Sequence, residues 1–229
     1  MGGASIYRSV VAGQKRRERR QRQVRLAVRT LIVLALALVA CLSLGFYRLA
    51  GESMAPGLHT GDVVFVNKAS YGLVIPFVNR AVLSWSTPEP GEVVLVALPR
   101  PEGDLVVFKR VAGGPGDRVE VTAGRLVLNG KPARYMPLSR LTVRKWSSEA
   151  GARYEAETFA DRPHQVVYGV PGGTPAPSGM ITVPPDHVFV IGDSRDNSRD
   201  SREVGPLPRS RILGRYVGTP WPAKGEETR

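Results

Sequence analysis

Residues 30–47, TLIVLALALVACLSLGFY, carry no charged side chain. With Arg29 and Arg48 as snorkelling flanks, a helix over 30–48 is long enough to cross a hydrocarbon core about 30 Å thick. The run exceeds the apolar stretch of a cleavable leader, and no A-x-A site follows it. LVAC, ending at Cys41, imitates a lipoprotein start, but the sequence stays apolar through Leu42, Leu44 and Phe46, where a mature lipoprotein turns polar. A single span is therefore expected.

Charge sets its direction. The chain carries +12 at pH 7, a value that ordinarily raises nucleic acid as a partner. Eight of those twelve charges, however, belong to the segment before Thr30, where nine basic residues face only Glu18. Such an arm acts as a topology determinant that also meets anionic lipid heads, so no nucleic-acid partner is expected. The positive-inside bias puts the N-terminus in the cytoplasm and the remainder on the outer face. Cys41 is the only cysteine and falls in the span, so the external part is held by packing, without a disulfide.

Beyond residue 48 the apolar runs are short, valine-rich and separated by Gly and Pro: DVVFV, EVVLVAL, DLVVF, RVEV, RLVLNG, ITV, HVFVIG and RILGRYVG. They read as strands of a mainly β domain. Residues 113–131 suggest a strand, a TAG turn and a returning strand closed by Asn-Gly. Residues 133–180, with scattered charge and GVPGGTPAPSGM, read as a loop-rich excursion with no assigned chemistry. Residues 71–85, YGLVIPFVNRAVLSW, fit either a core segment or a surface hairpin that dips Phe77 and Trp85 into a bilayer interface.

Three stretches could carry chemistry. Ser53 sits in GESMAPG, a tight turn by composition but not a G-x-S-x-G elbow. It is a turn residue unless a base and oxyanion donors accompany it. His59, His164 and His187 offer no triad context. Lys109 ends DLVVFK and shares a strand face with Leu105, Val107 and Val111, so it either snorkels outward or loses hydration and becomes a neutral base. GDSRDNSRDSREVG, residues 192–205, is either a solvated loop or a self-paired Asp/Arg network that holds a serine in place. It lacks the glycine and terminal glutamate of a calcium loop, and GGPGD at 113–117 lacks a phosphate-loop pattern, so no metal or nucleotide is expected.

Taken together, GESMAPGLHTGDVVFVNKASYG, GEVVLV, VVFKRVAGGPGDRVEV and VFVIGDSRDNSRDSREVGPLPRSRILGR resemble, in order, the segments of the type I signal peptidases, membrane-anchored serine proteases with a Ser-Lys dyad. The resemblance implies a β catalytic core with a smaller β insertion, preceded by one transmembrane helix. It implies cleavage of signal peptides from exported preproteins without metal or cofactor, by a monomer at the outer face of the plasma membrane. It makes Ser53 the nucleophile and Lys109 the general base. Ser198 becomes the serine that orients the amine, and Asp200 and Arg202 the ion pair behind it. Met54, Leu58, Val107 and Phe108 take the places of a shallow pocket for small side chains.

Ser53 N–H is the implied oxyanion donor, while Gly51 stands where some members supply a hydroxyl, so a second donor must come from elsewhere. Gly57 replaces the usual threonine after the motif's proline. The implied division is a basic arm at 1–29, the span at 30–48, a catalytic core at 49–112 and 181–220, an insertion at 113–180 and a tail at 221–229. Six residues from Tyr47 to Ser53 reach at most ~22 Å, which keeps the serine near the membrane surface. A conjugation- or pilin-type Ser-Lys peptidase shares the dyad. A repressor-type self-cleaving peptidase would carry a DNA-binding domain in place of the span. A non-enzymatic anchored β module would leave the coincidence of Ser53, Lys109 and 192–205 without a role.

Overall fold

The structure, a computed structural model, describes residues 19–34, 43–74, 78–139, 151–173 and 179–223. The chain separates into two units, Met1–Ser43 and Leu44–Arg229. In the first, helix α1 covers 19–34 with its side chains exposed. No helix among the described residues is long and apolar enough to cross a membrane, and residues 35–42 of the expected span lie outside them. The far end of that span is corrected. Leu44–Arg48 is strand β1, paired antiparallel with β2 (Val63–Asn67), because its alternating exposure matches a strand partner at Phe46↔Phe65 and Arg48↔Val63. The stretch between the corrected end of the expected span and Ser53 therefore includes β1 and is longer than the six residues counted from Tyr47.

The second unit continues with β3 (Gly72–Val74), β4 (Ala81–Ser84), β5 (Val93–Leu98), β6 (Leu105–Gly113), β7 (Arg118–Thr122) and β8 (Arg125–Leu128). After β9 (Lys131–Pro132) and β10 (Arg134–Pro137) come β11 (Arg153–Phe159), β12 (Arg162–Tyr168), β13 (Gly179–Thr182) and β14 (His187–Ile191). A short helix α2 (Ser201–Val204), β15 (Leu207–Pro208) and the long β16 (Ile212–Trp221) complete the described part. Seven strands form an antiparallel sheet in the order β1-β2-β16-β5-β6-β14-β15.

Strand β5 is the middle of that sheet and is apolar at every position because both of its faces are covered. Leu95 and Ala97 pack with Val64, Val66 and Phe108 on one side. Val94, Val96 and Leu98 pack with Val111, Val188 and Val190 on the other. A second sheet, β13-β7-β8-β9, lies over Ala112, Phe189 and Ile191. Its two turns are those read from TAG and Asn-Gly. Asn129 and Gly130 both have positive φ, 52° and 76°, as a type I′ hairpin turn requires. Residues 71–85 form the surface hairpin β3–β4, with Tyr71 and Ala81 buried and Leu73, Val82, Leu83 and Trp85 exposed. Phe77 is outside the described residues.

The loop-rich reading of 133–180 is also corrected. Strands β10, β11 and β12 make a three-stranded antiparallel sheet in which Glu155 and Glu157 of β11 face inward because they meet partners there, while Arg134, Arg153 and Arg162 stay exposed. Glu157 of β11 is fully buried and receives both Nη atoms of Arg195, the Tyr135 hydroxyl and His164 Nε2. Burial alone would raise its carboxyl, yet Arg195 and His164 bring it down to about 2. The same arginine bonds the carbonyls of Gly124 and Gly192, and its backbone pairs with Val167 of β12. The inserted sheet is thereby fastened to the 192–200 segment through one buried ion pair.

Glu157→Ala should leave a buried guanidinium without its counter-charge and lower the unfolding free energy by about 3–5 kcal/mol. Replacing both partners by Arg195→Met with Glu157→Leu should recover most of that loss. Urea denaturation of the full chain in detergent checks both; equal losses in the single and double variants would contradict the pairing.

Candidate active site

Ser53 stands on a turn closed by Ala55 N–H to Glu52 O and Leu58 N–H to Met54 O, each 3.0 Å. Glu52 braces the turn, accepting from Thr60 N–H at 3.0 Å while His59 Nδ1 lies 3.0 Å from its other oxygen. His59 Nε2 is 2.9 Å from Pro56 O. Both ring nitrogens thus face oxygen acceptors, and this buried histidine stiffens the turn rather than serving Ser53 as a base. His164 belongs to the Glu157 network, and His187 Nδ1 sits on Pro185 O.

The side chain that does approach the Ser53 hydroxyl is a lysine. On β6 the alternation read from DLVVFK holds: Val107 and Val111 face the same cluster, and Lys109 between them is only 1% exposed. Its Nζ lies 2.6 Å from Ser53 Oγ. Loss of hydration is the main reason that the amine titrates at about 8 rather than 10.5. Asp200 and Asp193 push the value up, whereas Arg202 and Arg100 push it down, so the neighbouring charges oppose one another and burial decides.

The 192–205 segment is a buried network, not a solvated loop. Arg202 holds Asp200 in a bidentate pair, Nε to Oδ1 at 2.8 Å and Nη2 to Oδ2 at 2.7 Å. Asp200 Oδ2 also accepts from Gly192 N–H at 2.8 Å and from Ser198 Oγ at 2.7 Å. Burial opposes the charge on Asp200, but these donors, Arg202 foremost, hold its carboxyl below the usual carboxylate range. Ser198 therefore spends its hydroxyl proton on Asp200 while lining the same cleft as Ser53 and Lys109.

Two contacts tie this network to the nucleophile turn. Ser194 N–H donates to Ser53 O at 3.2 Å. Gly192 lies so close that a Cβ there would overlap the Ser198 side chain and Ser53 O. A third tie runs to the base strand: Arg110, next to Lys109, grips Asp193 through Nε and Nη2 at 2.8 and 2.6 Å. Sequence reasoning passed over Gly192, Arg110, Asp193 and Arg195. The adjacency of Arg110 to Lys109 and the unbroken Gly-Asp-Ser-Arg run after a strand were the available signals.

The dyad opens onto a cleft of about 420 Å³. Of the four expected pocket residues, Val107 lines it. Met54, Leu58 and Phe108 are buried together in the core cluster on the other face of β6, directly behind the nucleophile turn. The cleft also carries Glu52, Arg100, Asp196, Arg199 and Glu203, so its walls are more charged than the sequence suggested. Among the described residues no group of His, Cys, Asp and Glu is arranged to hold a metal ion.

Lys109→Met removes the cost of burying a cation while keeping the volume. Below pH 8 the amine is protonated in both folded and unfolded chains, and the full cost, about 3 kcal/mol, is present. Between pH 8 and 10.5 the unfolded chain binds more proton than the folded one, so the parent gains stability as pH rises. The substitution should therefore stabilise strongly at pH 6–7 and little near pH 10.5. Denaturation midpoints of parent and variant at those pH values test this; a pH-independent gap would mean that the amine keeps its ordinary titration.

The sequence profile of the family described as signal peptidase, peptidase S26, matches residues 22–221. A signal peptidase I of Pseudomonas fluorescens is 30% identical over 189 residues, covering 77% of this chain and 65% of that protein. One from Leptolyngbya laminosa is 29% identical over 198 residues, covering 83% and 75%. A solved signal peptidase I from Enterococcus faecalis is 22% identical with a TM-score of 0.36, covering 58% of this chain and 100% of that one. The chain spans 65% of the length of the Pseudomonas relative. With the family profile matched across nearly all of the β unit, Ser53 and Lys109 included, the chain belongs to the signal peptidase family, peptidase S26.

Proposed function

We propose that the chain is a signal peptidase I, an endopeptidase that removes signal peptides from exported preproteins with Ser53 as nucleophile and Lys109 as general base. The observation that carries this reading is the 2.6 Å approach of a buried amine, titrating at about 8, to a serine hydroxyl on the wall of an open cleft. Neutral Lys109 takes the proton of Ser53 Oγ as the oxygen attacks the scissile carbonyl carbon. Ser53 N–H receives the oxyanion. The lysine ammonium then gives its proton to the departing amine as the C–N bond breaks, leaving an ester on Ser53. A water, deprotonated by the same amine, attacks the ester and restores the serine.

Ser198, Asp200 and Arg202 form one bonded network that reaches the cleft through Ser198, and their function is to keep the amine in line with Ser53. Val107 in the cleft wall offers an apolar contact for an alanine-sized side chain next to the cut, while Met54, Leu58 and Phe108 pack in the core behind it. An extended substrate has a place to lie. Strand β6 pairs with β5 along Leu105–Arg110, but β14 covers its other edge only from Arg110 onward. The edge at Leu105–Lys109 is left to the cleft, where a peptide can add as a further strand.

In this reading the apolar run from residue 30 spans the plasma membrane once, with the basic arm inside and the β unit outside. The support is the charge asymmetry together with an exposed aromatic cluster immediately after the run. Phe46 packs on Phe65 at 5.1 Å and on Trp221 at 5.4 Å, and Phe46 and Trp221 are about 60% exposed. Such a cluster suits the lipid headgroup layer. The protein works as a monomer, with the arm, span, catalytic core and insertion as its functional parts.

Incubation of the detergent-solubilised full chain with a preprotein, followed by N-terminal determination of the product, should show a single cut after a small residue. Ser53→Ala and Lys109→Ala should each abolish it, and the double variant should be no worse, because the two act as a unit. Near-normal turnover by Lys109→Ala would overturn the dyad. In the parent, kcat/KM should rise with pH to a plateau above about 8, following loss of the amine proton. A limb centred near 6.5 that vanishes when His59, His164 and His187 are replaced would assign the base to histidine instead.

A further inference from the structure

The charges lining the cleft differ in how they are satisfied. Glu52 has both oxygens engaged, by Thr60 N–H and His59. Asp196 accepts from Gly169 N–H. Arg199 faces Glu203 at 3.9 Å. Among the described residues Arg100 has no such partner. Its Nε is buried without a hydrogen bond, and its ion-pair contact among them is Nη1 to the exposed Glu102 at 3.9 Å, beyond hydrogen-bond reach. Its side chain is 34% exposed, so the guanidinium is reachable from solvent while part of it is already stripped of water. The exposed end of that guanidinium is the part a ligand in the cleft can reach, and a charged partner there would offset the dehydration of the rest.

Its position says which part of a ligand it would meet. Arg100 follows β5 in the turn to β6, on the same cleft wall as Leu98, Leu105 and Val107. Leu105 is about 13 Å from Lys109 along an extended strand. A peptide seated on the open edge of β6, with its scissile bond at Ser53, would bring a residue four to six positions from the cut beside Arg100. A guanidinium fork matches a carboxylate there in two parallel hydrogen bonds, whereas a lysine at that position would meet like charge.

We propose that Arg100 is a specificity-determining residue that selects an acidic side chain four to six residues from the scissile bond. The inference rests on the proteolytic reading above and adds a charge preference to it. Arg100 also contributes to lowering the Lys109 amine, so an acidic residue bound to it would partly offset that influence on the base.

The test uses the full chain in detergent and synthetic peptides with alanine before the cut and Asp, Asn or Lys placed singly at the fourth to sixth positions on either side. At one of these positions Asp should be cleaved with a kcat/KM roughly fivefold above Lys, the range of a partly exposed ion pair, with most of the difference in KM. Arg100→Lys should keep the order, Arg100→Gln should flatten it and Arg100→Glu should invert it, with thermal melts confirming that each variant is folded. Equal cleavage of all peptides by the parent, or an acidic preference that survives in both Arg100→Gln and Arg100→Glu, would overturn the inference while leaving the dyad intact. Cleavage of none of the peptides or preproteins would overturn the proteolytic reading and this inference together.

Discussion

The dehydration of one lysine organises the part of this molecule around Ser53. An amine on the surface of a protein is protonated at neutral pH and cannot take a proton from serine. Lys109 is placed instead on a strand whose neighbours are apolar, in a sheet covered on both faces, so that water is withdrawn from Nζ. What surrounds it follows from that choice. Because the amine spends part of its time charged, it needs nearby charges that neither fix the proton nor expel it. Asp200 and Arg202 meet this need as a closed pair whose effects on the amine oppose each other.

Closing that pair has structural consequences further out. A segment carrying Asp193, Arg195, Asp200 and Arg202 can be buried only if each charge meets an opposite one. Asp200 and Arg202 satisfy each other, Asp193 takes Arg110 from the base strand, and Arg195 takes Glu157 from the inserted sheet. The insertion is therefore more than an ornament on the core: it supplies the counter-charge without which the segment behind the dyad could not be dry. Backbone contacts complete the frame, since Ser194 N–H reaches Ser53 O and Arg202 Nη1 reaches Arg195 O. The Ser53 turn, strand β6 and the charged segment are thereby bonded to one another.

How legible this was in the sequence depended on the range of the interaction. Lys109 could be placed because strand alternation is local, and DLVVFKRV specifies its own face. The Asn-Gly hairpin was legible for the same reason. Ser53 needed the company of the other motifs, since a turn serine has no local mark of reactivity. The 192–205 segment was recognised as unusual, but composition alone equates dense charge with solvent. Its burial depends on Glu157 and Arg110, which come from other strands and look ordinary in place. The residue pattern of the sheet at 134–168, unlike the resemblance, read as a loop because of its prolines and scattered charge, since Glu155 and Glu157 of β11 point inward to partners that local pattern does not reveal. Leu44–Arg48 was misread for the converse reason: an apolar alternation at the end of a longer apolar run carries no boundary of its own, and only pairing with Val63–Asn67 separates it.

The same logic bears on why lysine rather than histidine suits this turn. A histidine base needs a third group to fix its tautomer, and His59, the only histidine near Ser53 in sequence, already has one, but with both nitrogens committed to Glu52 and Pro56 it stiffens the turn and has nothing left to offer the hydroxyl. Lysine has no tautomer to set. Burial on the strand lowers the pH at which its amine becomes neutral, and the segment at 192–202 closes against the Ser53 backbone. The absence of a side chain at Gly192 is what lets that segment come so near, so the geometry of the dyad rests as much on one missing methyl group as on the charged residues around it.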